Sequence, residues 1–311
     1  MTRYCAVGSF TVLIGFALAA CRSPEVTTRA TASGTVITPA TMTRVGSVDE
    51  RYQSYNVEML EVTGGKFWKP YGPELDAILK QPAPTTASTG SGDTPAGMNA
   101  ALYQYLPPID LTNGRLRKLS AALGPAYVRT SGTWANTTYF PDSDSAPKAP
   151  PAGFNGVLTR QQWKGLIDFA TAVDAGIVTS FATSVGTRDA GGVWTIAQAR
   201  RLLDYTSSAG GRIAAAEYMN EPTLAAMGGA PAGYDAAAYG RDFKVFRAFV
   251  KQAAPDMLVL GPGSVGETAG GGGVAYGIPG VLNTADLLAA SGPPATVTFL
   301  AFPDAANAAC R

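Results

Sequence analysis

The chain contains no histidine in 311 residues. That absence excludes Ser-His-Asp and Cys-His catalysis and the usual zinc sites, and it leaves carboxylates as the main acid/base candidates. Cysteine is scarce as well. Cys5 and Cys21 lie near the start, Cys310 is next to last, and the long region between them has none, so no disulfide is expected within it. Charge is sparse too, at 15% of residues, with a net of +1 and no basic block. Such a balance gives no reason to expect nucleic acid as a partner. The apolar run near the N-terminus is too short to span a bilayer comfortably.

What is present points to a globular chain rich in turns. Hydrophobic residues make up 46%, with 36 glycines and 22 prolines, and the length fits one large domain or two small ones. Residues 1–20 read as an export signal, with Arg3 in a short n-region and an apolar segment from Val12 to Ala20. Leu18-Ala19-Ala20-Cys21 resembles a bacterial lipobox, in which Cys21 is acylated and becomes the mature N-terminus; the plainer alternative is a secretory signal with an incidental cysteine. Residues 21–50, rich in Thr, Ser and Ala, read as a tether. The expected location is therefore outside the cytoplasm, on a membrane surface.

From Arg51 onward a unit recurs: strand, polar loop, helix, glycine or proline stop. Strands are expected near residues 54, 127, 178, 214, 258 and 297. The segment Val62 to Pro70 reads as an aromatic and basic loop, and residues 81–98 as a polar low-complexity loop. Between the strands, Leu116, Leu119 and Leu123 form one helical stripe. Trp163, Leu166, Ile167, Ala170 and Val173 form another behind a Thr159/Gln162 capping box. Thr195 and Gln198 suggest a second box, and Tyr239, Phe243, Phe246 and Val250 stripe a later helix. Strands alternating with helices predict an α/β fold with a parallel sheet, and apolar strands predict that both faces are covered. Polar residues gathering after the strands fit a (β/α)8 TIM barrel, whose active site lies at that end.

Ala215-Ala216-Glu217-Tyr218-Met219-Asn220-Glu221-Pro222 concentrates the chemistry. An apolar strand ends by presenting an amide beside a carboxyl and then stops at a proline. Asn220 can donate to a substrate hydroxyl, and Glu221 can give or take a proton. Proline disfavours the right-handed helical region for its predecessor, so Glu221 is expected to be extended.

This placement resembles the acid/base position of retaining glycoside hydrolases that carry their carboxylates on strands four and seven. Three blocks bring the resemblance closer to the bacterial heparanase-like proteins of glycoside hydrolase family 79. They are Arg51 to Met59 with Gly64 to Pro70, Tyr127 to Thr137, and Tyr218 to Pro222. The resemblance implies a four/seven-strand TIM-barrel hydrolase acting on uronate-containing, possibly sulfated polysaccharide as an endo-β-glucuronidase. It implies Glu221 as general acid/base and Asn220 on the sugar 2-hydroxyl. It further implies Asn56, Glu58, Arg129, Gly132, Thr133, Trp134, Asn136 and Tyr218 around the cleaving subsite. Lys66, Lys69 and Arg129 are candidates for meeting uronate or sulfate, the two lysines being equally at home on a solvated loop or in an ion pair. Trp68 and Trp134 either stack on sugar or pack at the barrel rim. No metal site and no organic cofactor is implied, because the mechanism uses only carboxylates and water.

The sequence also departs from the family. After Leu300 the text runs into Ala301-Phe302-Pro303-Asp304 and an Ala/Asn tail without helix or strand pattern. Residues 51–311 are thus expected to give about six β/α units of the barrel, lacking strands 7 and 8, the nucleophile they would carry and a C-terminal β-sandwich. Such a chain is expected to be inactive as a hydrolase. Glu267 is the nearest spare carboxylate, on the wrong strand. The alternatives are a non-catalytic carbohydrate-binding surface lipoprotein and a related retaining β-glycosidase acting on neutral sugars.

Overall fold

The computed structural model describes residues 38–81, 99–265 and 281–292, together with the backbone of a strand at 297–298. The export signal, Cys21, most of the low-complexity loop, Glu267 and the tail after Leu300 lie outside the described residues. The chain divides into two units, Met1–Ser47 and Val48–Arg311. In the first, the described residues include a single 3-10 turn, Pro39–Thr41. No described helix is long and apolar enough to cross a membrane.

The second unit is built on a six-stranded sheet. Its strands are β1 (Gln53–Glu58), β4 (Ala126–Ser131), β7 (Ala175–Ser180), β8 (Ile213–Glu217), β9 (Leu258–Leu260) and β10 (Val297–Thr298). They stand side by side in that order and every pairing is parallel. These are the six positions the sequence predicts. The helices are α1 (Met59–Thr63), α2 (Pro73–Leu79), α3 (Gly114–Ala121), α4 (Arg160–Ala172), α5 (Ala197–Ser208), α6 (Ala236–Ala253) and α7 (Thr284–Ser291). Sequential parallel strands with helices between them form an α/β fold, a partial (β/α) barrel.

Local signals explain the helices. Thr159 and Gln162 make the expected capping box at α4, whose apolar face, Trp163, Leu166, Ile167 and Ala170, is buried. Asp235 caps α6 by accepting the Ala238 N–H at 2.8 Å, and Tyr239, Phe243, Phe246 and Val250 are all buried beneath it. Two expectations fail. Thr195 does not cap α5, which starts from Ile196 without a side-chain cap; the Thr195 hydroxyl instead donates to the Thr187 carbonyl at 2.7 Å. The stripe on α3 is largely solvated, with Leu119 and Leu123 half exposed or more.

The segment Val62 to Pro70 is more ordered than a loop. It completes α1 and then forms β2 (Gly65–Trp68), which pairs antiparallel with β3 (Tyr103–Leu106). Two-residue strands β5 (Thr138–Tyr139) and β6 (Gly156–Val157) pair nearby.

The sheet is not covered alike on both faces. One face, carrying Tyr55, Val57, Val128, Ile177, Ile213 and Ala216, packs into the large core against the helices. On the other face the described buried hydrophobic cluster is small, Val178, Ala215 and Leu260, with Tyr127 against it. Leu258, level with Ala215, is exposed on that face, and the ends of β1, β4, β7 and β8 carry polar side chains there. It is the concave side in a barrel, and the site lies on it.

Candidate functional site

Strand register gathers the site. Asn56 is level with Arg129, Glu58 with Ser131, and Ser180 with Glu217. Side chains alternate along each strand, so these polar residues share the face that carries Val178 and Ala215. Glu58, Ser131, Ser180 and Glu217 are the last residues of β1, β4, β7 and β8. A row of polar groups therefore crosses the carboxyl ends of four neighbouring strands.

Arg129 organises the row. Nη1 donates to Asn56 Oδ1 at 2.9 Å, and Nη2 donates to Asn220 Oδ1 at 2.7 Å. Nη2 also donates to Glu217 Oε1, making an ion pair in which both side chains are buried. Glu217 Oε1 takes a further hydrogen bond from the Ser131 hydroxyl at 2.7 Å, and the Ser131 and Ser180 hydroxyls are themselves 2.7 Å apart. Burial pushes the Glu217 carboxyl above its ordinary range, while the Arg129 charge and the Ser131 hydroxyl pull it down. Read from sequence as a cation for anionic sugar, Arg129 is instead turned onto three groups of the protein. A second close fit seats Glu217: a Cβ on Gly263 would come within 2.4 Å of its Oε2.

Glu221 leaves the strand by a turn that the sequence does not predict. It is not extended but left-handed, with φ 47° and ψ 57°. Two main-chain bonds hold it there. Its N–H donates to the Gly263 carbonyl at 3.0 Å, and its carbonyl accepts the Leu224 N–H at 2.8 Å, opening the 3-10 turn Pro222–Leu224. A left-handed non-glycine residue costs on the order of 1–3 kcal/mol and persists only where its surroundings over-determine it. Pro222, at the first position of that turn, supplies a fixed φ and needs no N–H partner. The Thr133 hydroxyl donates to Glu221 Oε2 at 3.3 Å. Burial raises the Glu221 carboxyl above its usual range, against the opposing pull of Thr133, Arg129 and Asn220.

Asn220 is fixed at both main chain and side chain. Asn136 Nδ2 donates to the Asn220 carbonyl at 2.9 Å, and the Asn220 N–H donates to Asn136 Oδ1 at 3.0 Å. With its Oδ1 on Arg129, the Asn220 side chain keeps its amide NH2 as the group that can donate elsewhere.

Glu58 ends β1 beside Gly132. Its Oε1 accepts from Asn56 Nδ2 at 3.0 Å, and its carboxyl and main-chain N–H share a capping box with Glu61 at the start of α1. Burial pushes Glu58 up to about 7; Arg129 and the Asn56 amide oppose the shift, and the charges of Glu221 and Glu61 add to it.

The remaining predicted residues separate. Gly132, Thr133 and Asn136 lie in the loop after β4 and contact Glu58, Glu221 and Asn220 respectively. Trp134 is partly buried and packs on Phe67 and Tyr103, with ring centroids 5.4 and 6.2 Å apart. Tyr218 does not reach the site. It is fully buried on the helix side against Trp194, Tyr239 and Phe246, and its hydroxyl approaches Asp242 at 3.4 Å. The strand ends at Glu217, and Tyr218 follows on the opposite face. Lys69 pairs with Glu74, and Lys66 is exposed on the β2–β3 ribbon. Among the described residues no group of three His, Cys, Asp or Glu side chains is placed to hold a metal ion.

Sequence reading missed Glu217, Ser131, Ser180 and Gly263. The one available signal was a carboxylate interrupting the apolar run of β8, in step with Ala215.

No family model and no curated protein matches the chain. Among solved structures it is similar to the catalytic domain of GH30 xylanase C from Talaromyces cellulolyticus, with a TM-score of 0.37 and 12% identity over 61% of this chain and 49% of that one. It is also similar to the beta-glucosidase from Trichoderma harzianum, with a TM-score of 0.32 and 13% identity over 70% of this chain and 49% of that one. The chain thus spans about half the length of either structure. At such scores the likeness is coarse, and any assignment of chemistry rests on the strand-end geometry.

Proposed function

We propose that this strand-end cluster is the acid/base side of a retaining glycoside hydrolase. The observation that carries the reading is Glu221: a carboxyl with its proton affinity raised by burial, set just past the fourth sheet strand and held by Thr133. Such a group protonates a glycosidic oxygen as the bond to the sugar breaks and later takes a proton from water. Asn220, immobilised by Asn136 and Arg129, offers its amide to a sugar hydroxyl beside it. Retention further requires a carboxylate nucleophile about 5–5.5 Å from the acid/base. Glu217, committed to Arg129, is not assigned that role, and the family resemblance puts it on a seventh strand.

The substrate we propose is a uronate-containing polysaccharide cleaved as by an endo-β-glucuronidase, on a protein exported and lipid-anchored through Cys21. The 51–70 and 127–137 blocks support this reading. One observation favours a neutral β-glycoside instead: Arg129, the buried cation of the site, is engaged by Glu217.

Hydrolysis assays separate the two. Aryl β-glucuronide, aryl β-glucoside and heparan-type polysaccharide are offered to a longer form of the protein that carries the seventh-strand nucleophile, with Glu221 intact and as Glu221→Gln. The proposal expects a preference for the glucuronide, with the variant losing cleavage of poor leaving groups far more than of activated aryl ones. Preference for the glucoside selects the neutral-sugar reading. Equal losses on both kinds of leaving group contradict the role of Glu221.

A further inference from the structure

Glu58 and Glu221 reach the site from different strands, yet both end on the same dipeptide. A Cβ on Gly132 would stand 1.5 Å from Glu58 Oε2, so the carboxyl occupies the space that only a glycine leaves. Gly132 is also at φ +102°, where a side chain is strained in any case. The next residue, Thr133, donates its hydroxyl to Glu221 Oε2 at 3.3 Å. Arg129 serves the two carboxyls alike. It bonds Asn56, whose amide holds Glu58, and it bonds Asn220, the neighbour of Glu221.

The two oxygens of Glu58 differ. Oε1 accepts from Asn56, whereas Oε2 is buried and has no hydrogen-bond partner among the described residues. An ionised carboxylate oxygen in that position would be a buried charge without a donor, while a protonated one carries its own O–H.

We propose that Glu58 and Glu221 form a coupled carboxyl pair, seated on Gly132–Thr133, that holds one proton between them, with Glu58 as the positioning residue that keeps the proton once Glu221 is ionised. The inference rests on the reading of Glu221 as acid/base and names how that group is regulated by pH. The charged groups facing the pair are Arg129 from β4, Glu61 from α1 and Glu217 from β8. Arg129 acts on all three site glutamates and is already paired with Glu217, so it does not neutralise both of the others. Two like charges in one buried site are relieved by retaining a proton, and the protons then leave in steps that belong to the pair. Burial, joined by the charge of Glu221, puts the Glu58 step at about 7. Above that pH the pair would hold no proton to give.

The test is a carboxyl titration by NMR of protein labelled with 13C at the glutamate side chain, comparing wild type, Glu58→Gln and Glu221→Gln without substrate. We expect Glu58 to titrate near 7 in the wild type. Glu221→Gln should lower the Glu58 midpoint by about one pH unit or more, the threshold of strong coupling, whereas Glu58→Gln should leave Glu221 titrating where it does beside a protonated Glu58. Gly132→Ala supplies a second arm: evicted from its seat, Glu58 should titrate closer to the ordinary glutamate range. A Glu58 midpoint that ignores the replacement of Glu221, or a Glu58 that titrates as a solvated glutamate in the wild type, would overturn the proposal. The titration reads no turnover. A shifted Glu58 midpoint, when the longer, nucleophile-bearing form cleaves no glycoside, would retain the pair and defeat the functional reading, and uncoupled midpoints beside an active longer form would do the reverse.

Discussion

Asn136 grips the main chain of Asn220 from both sides, donating to its carbonyl at 2.9 Å and accepting its N–H at 3.0 Å. The loop after β4 therefore sets the backbone that carries Asn220 and Glu221. Asn136→Ala would leave a buried N–H and a buried carbonyl unpaired, at about 1–3 kcal/mol each. Urea unfolding should show a loss of roughly 2–6 kcal/mol. A change below about 0.5 kcal/mol, the range of an ordinary surface substitution, would show that the contact is dispensable.

The Arg129–Glu217 pair makes a separate prediction about non-additivity. Both side chains are buried, so removing one partner strands the other's charge. Arg129→Met and Glu217→Leu should each destabilise by about 3–5 kcal/mol, and the double replacement should be less harmful than either alone. Calorimetric midpoints of the three variants decide it. Additive losses would mean that each side chain works through packing and not through the pair.

Stability should also depend on pH through Glu58. Its folded pKa, about 7, lies above the unfolded value of 4.5. A raised acid binds its proton more tightly when folded, so its contribution is complete below the unfolded pKa and is lost as pH rises through about 7. At about 1.4 kcal/mol per unit, the ceiling is about 3 kcal/mol. Denaturant midpoints at pH 5 and pH 8 should differ more in the wild type than in Glu58→Gln. Identical pH dependence in the two proteins would remove Glu58 from the account.

The six sheet strands and the buried face of α6 were legible because each rests on a local period: short apolar runs, or aromatics at helical spacing closed by proline. What failed was non-local. The β2–β3 ribbon joins segments separated by a long polar stretch, so nothing near Gly65 announces its partner. Arg129 reads as a ligand for anions until Glu217, 88 residues later, is brought beside it. Tyr218 shares sequence parity with Asn220, but the strand stops at Glu217, so parity no longer tells which face is presented. Glu221 takes its left-handed turn from bonds to Gly263 and Leu224, which a rule about the residue before proline does not contain.

The proposed anchor has its own readout. Mass spectrometry of protein recovered from an exporting bacterium should show Cys21 as an acylated N-terminal residue. A mature chain starting beyond residue 21, or one retaining residues 1–20, would remove the membrane partner from the proposal.

Glu221 is proposed to offer a proton to the oxygen of a scissile glycosidic bond. A glucuronate-configured sugar mimic with a fused imidazole presents a basic nitrogen where that oxygen would sit, and it binds without turnover. Calorimetric titration into wild type and Glu221→Gln is the direct measurement. A hydrogen bond to a charged group is worth about 1.5–3 kcal/mol, so the variant should bind roughly 10–100-fold more weakly. Equal affinity in the two proteins would contradict the assignment of Glu221, and with it the reading of this strand end as a glycosidase site.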